Sequence, residues 1–100
     1  MTDSRNSQLA SILLNYSVKL QPSEKIWIRC LGIPALSLAK EVYKQALMRG
    51  SHPYIDITDD TIHPFFVDQA SPEQVAAEPH VEEYLVHWAD KIVTLVGEQN

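Results

Sequence analysis

One hundred residues, 45% hydrophobic and 21% charged, suit one small domain, since domains usually run to about 100–200 residues, and exclude a self-contained multidomain enzyme. Eight Lys+Arg against thirteen Asp+Glu leave a formal charge of -5, the wrong sign for a domain that lives by neutralising phosphates, so neither nucleic acid nor an anionic membrane is an expected partner. No run approaches the roughly 18–20 apolar residues that span a bilayer, residues 1–6 lack the basic and then apolar regions of a signal peptide, and the lone Cys30 precludes an internal disulfide or a thiolate zinc site, so the expected compartment is the cytoplasm.

Over residues 6–20 the apolar positions Leu9, Ile12, Leu13, Tyr16 and Leu20 fall three and four apart, predicting a helix with one buried stripe and Asn6 or Ser7 at its cap. Gln21-Pro22-Ser23-Glu24 stops it. Residues 25–31 alternate around Ile26, Ile28 and Cys30, with Trp27 on the opposite face, the pattern of a strand covered on both sides. Gly32-Ile33-Pro34 reads as a turn whose proline suits the first turn of a helix. That helix runs to about Arg49, with Leu38, Ala39, Val42, Ala46 and Leu47 inward, Lys40, Glu41, Lys44 and Gln45 toward water, and Gly50 as a left-handed stop. A second strand is predicted over residues 53–57, and a strand–helix–strand passage of this kind makes its strands parallel.

Asp59 or Asp60 is placed to cap a third, shorter helix containing Ile62, Phe65, Phe66 and Val67. Ser71-Pro72-Glu73-Gln74 has the serine, proline and glutamine of a capping box, and Pro79 ends that turn. From His80, the residues Val81, Tyr84, Leu85 and Trp88 share one helix face, closed by Ala89-Asp90. Ile92-Val93-Thr94-Leu95-Val96 is a nearly continuous apolar run, predicting a parallel strand buried on both faces. The expected fold is α/β: three parallel strands with flanking helices, a Rossmann-like or flavodoxin-like layer. Because the last strand has no following helix, Ile92, Val93, Leu95 and Val96 expect cover from further sequence. The chain therefore reads as the front of a larger α/β domain, cut at Asn100.

Several constellations invite a chemical reading. Glu83 and His87 lie four apart with His80 one turn back, half of a metal site, but with no HExxH run a solvated helix face accounts for them. Asp56, Thr58, Asp59 and Asp60 stand at the carboxyl end of the second strand, where open α/β sheets bind ligands and clustered oxygens hold Mg²⁺; helix capping is the simpler role. Gly32, Gly50 and Gly97 are isolated, so no phosphate-binding loop is present. Cys30 in mid-strand reads as a small buried hydrophobe rather than a nucleophile, and Tyr84 with Trp88 as core rather than a stacking platform. These residues alone assemble no active site: no catalytic, cofactor-binding or metal-binding residue is assigned.

The string running from Asn15 through Tyr16, Gln21, Pro22, Ser23, Glu24, Lys25 and Trp27 to Arg29 resembles the amino-terminal stretch of the thermophilic-type metallo-aminopeptidases, the aminopeptidase T and aminopeptidase S family. There a first helix leads through "Q-P-G-(E/D)-K-V-x-I" into the first strand. Glu41-Val42-Tyr43-Lys44-Gln45-Ala46-Leu47 with Gly50-Ser51-His52-Pro53 is similar to the family's "E-x-Y-x-x-A-x-x-A-G-A-x-P". Ala70-Ser71-Pro72-Glu73-Gln74-Val75 resembles its "A-S-D-E-Q-L", and the closing segment from Ala89-Asp90 through Gly97 to Asn100 its "A-D-A-x-I-x-I-x-G-x-x-N". Ser23 stands where the family commonly has glycine, and Ser51 where it has alanine.

The resemblance implies a cytoplasmic, homodimeric exopeptidase that removes amino-terminal residues from peptides with two divalent ions, zinc, cobalt or magnesium. It also implies that the metal ligands belong to a carboxyl-terminal catalytic domain, so none is carried onto His52, His63, His80 or His87. The chain is then a single amino-terminal domain, inactive by itself. The competing expectation is a stand-alone flavodoxin-like binding or interaction module, using the Asp56–Asp60 edge or the exposed face of the last strand.

Overall fold

The computed structural model describes residues 4–97; the expected cut at Asn100 and the end of the closing motif lie outside them. The order is α1 (Ser4–Ile12), a π-helical turn (Leu13–Ser17), β1 (Lys25–Leu31), a 3₁₀ turn (Ile33–Ala35), α2 (Leu36–Met48), β2 (His52–Thr58), α3 (His63–Gln69), α4 (Pro72–Ala76), α5 (Val81–Trp88) and β3 (Lys91–Val96). The strands form one parallel sheet in the order β2-β1-β3, the α/β fold expected.

Its topology follows from chain direction. The passage from β1 to β2 steps one way across the sheet and that from β2 to β3 steps back past β1, so right-handed crossovers place their helices on opposite faces. On one face α2, joined by α1, covers Ile26, Ile28, Cys30, Val93 and Leu95 in a core that also holds Ala10, Leu14, Leu20, Ala39, Val42 and Ala46. On the other, α5 reaches the sheet through Trp88, whose ring meets Tyr54 edge-on at 6.4 Å and 78°. The single buried residue of α5 is Leu85.

Several expectations need correction. The buried side of the first helix is Ala10 and Leu14, while Leu9, Ile12 and Tyr16 are exposed. Two causes act together. Alanines at 10, 39 and 46, all fully buried, form the small-residue contact between α1 and α2, which a stripe of large residues does not reveal. The π-helical turn then shifts the phase: Val18 N–H donates to Leu13 O at 3.0 Å and Leu20 N–H to Leu14 O at 2.8 Å, wider turns than the α-helical i→i−4 bond. Asn6 and Ser7 lie inside α1, not at its cap. In α2, Glu41 is 5% exposed whereas Leu47 is open to solvent.

Farther along, α3 starts beyond the aspartates, with Ile62 at its cap and no side-chain capping bond. Asp59 instead closes the preceding turn, its Oδ1 accepting from Thr61 N–H at 2.8 Å and Thr61 Oγ1 at 2.7 Å. The capping box at α4 is present, Ser71 Oγ accepting from Gln74 N–H and Gln74 Oε1 from Ser71 N–H. β3 is covered on one face only: Val93 and Leu95 are buried, while Ile92 is 41% and Val96 64% exposed. The anchors of α5 lie on Arg29 of β1 and Tyr54 of β2, which leaves the outer face of the third strand open. Tyr84, expected in the α5 stripe, is likewise 67% exposed.

Candidate functional site

Across the second face of the sheet the register aligns Arg29 with Asp56 on one side and Thr94 on the other, one step beyond Trp27, Tyr54 and Ile92. Trp27 is fully buried there, an aromatic large enough to fill the space between sheet and α5. Its indole N–H needs a partner inside that space and finds Asp56 Oδ2 at 2.9 Å. The Arg29 guanidinium lies 4.7 Å from the centre of the Trp27 ring, a cation–π arrangement, and its Nη2 stands 3.5 Å from Glu82 Oε1 on α5. Arg29 Nε is buried with no hydrogen-bond partner. The sequence placed Trp27 on the face opposite Ile26 and Ile28 but did not pair it with Arg29 or Glu82; only the alternation Trp27-Ile28-Arg29 signals that one face of β1 carries an aromatic and a cation together.

Beside this stack, at the carboxyl end of β2, a shallow cleft of about 470 Å³ is lined by Asp56, Thr58, Glu78, His80, Glu82 and Glu83, among others. Its rim is acidic. Two of its carboxylates already have partners, however, Asp56 in the indole and Glu82 in the guanidinium.

The remaining sequence candidates are dispersed. His52, His63, His80 and His87 are all exposed, on β2, α3, the lead into α5 and α5 itself. Glu83 and His87 share α5 as expected, also exposed. Among the described residues no three His, Cys, Asp or Glu side chains are grouped so as to hold a metal ion. Asp59 is committed to its turn, where the hydrogen bonds from Thr61 hold its carboxyl below the ordinary range; Asp60 is exposed. Cys30 is fully buried with its Sγ 3.6 Å from Gly32 O. Burial first, then the charge of Asp56, pushes its thiol up, away from the thiolate a nucleophile needs. Trp88 packs on Tyr54, so its ring is not a free platform.

Open α/β sheets bind ligands where the strand order reverses, here the carboxyl ends of β1 and β3. Two glycines meet at that point. Gly32 has φ 101°, and a Cβ there would collide with the carbonyl oxygen of Gly97; a Cβ on Gly97 would sit 2.5 Å from Ala35 N. Backbone therefore closes the crevice, and the glycines serve close packing rather than phosphate approach. They looked isolated in the sequence because 65 positions separate residues that the parallel register places side by side.

The family model described as thermophilic metalloprotease matches residues 2–100, nearly all of the chain. No curated protein matches it.

Proposed function

The chain belongs to the thermophilic metalloprotease family, and from that premise we propose that it is the amino-terminal, non-catalytic scaffold of a cytoplasmic aminopeptidase that removes amino-terminal residues from peptides. The match over residues 2–100 carries this reading. Metal dependence belongs to the family; two divalent ions, zinc, cobalt or magnesium, would activate water and polarise the scissile carbonyl. The residues described here do not fit such a centre, since no three potential ligands converge. In this proposal the catalytic steps belong to the rest of the parent protein. The part of this chain is to dock a carboxyl-terminal catalytic domain within a homodimeric parent. The apolar residues that α3 to α5 leave exposed, Ile62, Phe65, Val67 and Val75 among them, suit such a contact.

The test is the size and activity of the native polypeptide. An antibody raised against residues 1–100 should detect a band several-fold heavier than 11.3 kDa. The captured protein should release amino-terminal residues from peptides in a reaction stopped by a chelator and restored by Zn²⁺, Co²⁺ or Mg²⁺, while residues 1–100 alone release none. A native band at 11.3 kDa would overturn the scaffold reading in favour of a stand-alone flavodoxin-like binding module.

A further inference from the structure

Charge is divided across the sheet. No Lys or Arg occurs between residues 50 and 90, the segment that supplies α3 to α5 and carries Asp68, Glu73, Glu78, Glu82 and Glu83. The opposite layer carries Arg5 on α1, Lys40 and Lys44 on α2, and Arg49 at the end of α2. The one carboxylate of these two helices, Glu41, is 5% exposed and already faces Lys44 and Gln45. The surface of this layer is therefore basic, in a protein whose formal charge is -5. The dipole of α2 accounts for a cation at its carboxyl end, such as Arg49, but not for Lys40 in its second turn.

A shallow groove runs between the two helices. One stretch of about 410 Å³ is lined by Ser7, Glu41, Lys44, Gln45, Met48 and Arg49, and a second continues from Ser7 and Gln45 past Gln8, Ser11 and Ile12. Apolar side chains stand open along it, Met48 being 77% and Ile12 50% exposed, and a thioether of this kind adapts to the surface of a partner. Exposed apolar groups beside lysine and arginine match an amphipathic helix whose apolar stripe is flanked by carboxylates. A strand of RNA is matched less well: none of the residues lining the groove is aromatic, so no base could stack there, and the acidic layer behind the sheet opposes a run of phosphates. The face also lies away from the contact proposed for the catalytic domain. A right-handed crossover to any strand placed beyond β3 would put its helix on the α5 side, not here.

We propose that the α1–α2 groove docks an acidic amphipathic helix of a separate protein, Lys40, Lys44 and Arg49 meeting its carboxylates and Met48 and Ile12 its apolar stripe. This goes beyond the peptidase reading and is tested by binding rather than by turnover, so either can fail without the other.

The probe is a fluorescent peptide of about 18 residues with leucines at helical spacing and glutamates between them, acetylated at its amino terminus so that an aminopeptidase cannot shorten it. Titrated with the native polypeptide at about 0.1 M salt, its anisotropy should rise to saturation at one peptide per chain, and affinity should fall at least about tenfold at 0.5 M salt. Lys40→Glu and Met48→Glu, both at exposed positions, should each weaken binding at least about fivefold with far-UV circular dichroism unchanged. Lys91→Glu, the same change of charge on β3, should leave it within about twofold, which separates the groove from a general effect of net charge. The peptide with lysine in place of every glutamate should not bind in a manner sensitive to Lys40→Glu. Absence of saturable binding, binding indifferent to both Lys40→Glu and Met48→Glu, or tighter binding of a single-stranded RNA of equal charge through Lys40 would overturn the proposal.

Discussion

Ser23 adopts φ 70° in the loop between the π-helical turn and β1, a left-handed backbone in which an L side chain costs roughly 1–2 kcal/mol. The conformation is imposed by its neighbours: Ser23 N–H donates to Gly50 O at 3.0 Å, and Ser51 Oγ donates to Gln21 O at 3.0 Å. Two loops on the same side of the sheet are thereby tied together. The family commonly places glycine where this chain has Ser23, so the departure noted in the sequence has a physical cost. Ser23→Gly should therefore stabilise the chain by about 0.5–1 kcal/mol after glycine's greater unfolded-state entropy is deducted. A rise in melting temperature of about 3–6 °C is the corresponding reading; no rise, or a fall, would show that the serine side chain makes up for the strain.

Between elements, the contact of α1 with α2 depends on small apolar side chains and one polar clasp. Gln45 Nε2 donates to Ser7 O at 3.0 Å and to Glu41 Oε1 at 3.1 Å, and Lys44 Nζ stands 3.4 Å from the same carboxylate oxygen. The Gln45 hydrogen bond holds the Glu41 carboxyl below its ordinary value of 4.5; burial opposes this, and Lys44 and Ser7 reinforce it. A carboxyl depressed in the folded state stabilises fully above its unfolded value and loses that contribution as pH falls through the folded one. Wild type should thus lose more urea resistance than Glu41→Gln between pH 6 and pH 3, with the two converging at the acid end. Parallel losses in both proteins would show that the clasp does not titrate. The same pair of helices marks where sequence patterning gave out. β1 was legible to the residue and α2 to within one or two, because alternation and a proline-led helix start are local signals. The face of α1 was not, because alanine contacts and a π-helical turn leave no 3.6-residue stripe of large side chains. In β3 the apolar run announced a strand without revealing which face the rest of the fold would leave bare. The Trp27–Arg29–Asp56–Glu82 stack was equally hidden, since its members come from three elements that only the register brings together.

At the scale of the molecule, burial is concentrated on one side. The chain measures 43 × 33 × 19 Å with a radius of gyration of 15.3 Å, against about 12.7 Å for a compact chain of this length. β1 sits between its neighbours and contributes Ile26, Trp27, Ile28 and Cys30, all essentially without exposure, while α3 and α4 contribute no buried residue. Local opening follows buried apolar contact, so different parts of the backbone should report different free energies. Amide hydrogen exchange under native conditions should place β1 and the inner turns of α2 in the slowest class, near the global unfolding limit. The amides of α3 and α4 should exchange at least a hundredfold faster, their capping box securing only the first turn of α4. If the exposed side of these helices docks a catalytic domain, the longer parent protein should slow exchange in α3 and α4 and leave β1 unchanged. Equal protection of α3, α4 and β1 in the 1–100 chain would contradict the uneven core, and unchanged α3 and α4 exchange in the parent would remove that face as the docking surface.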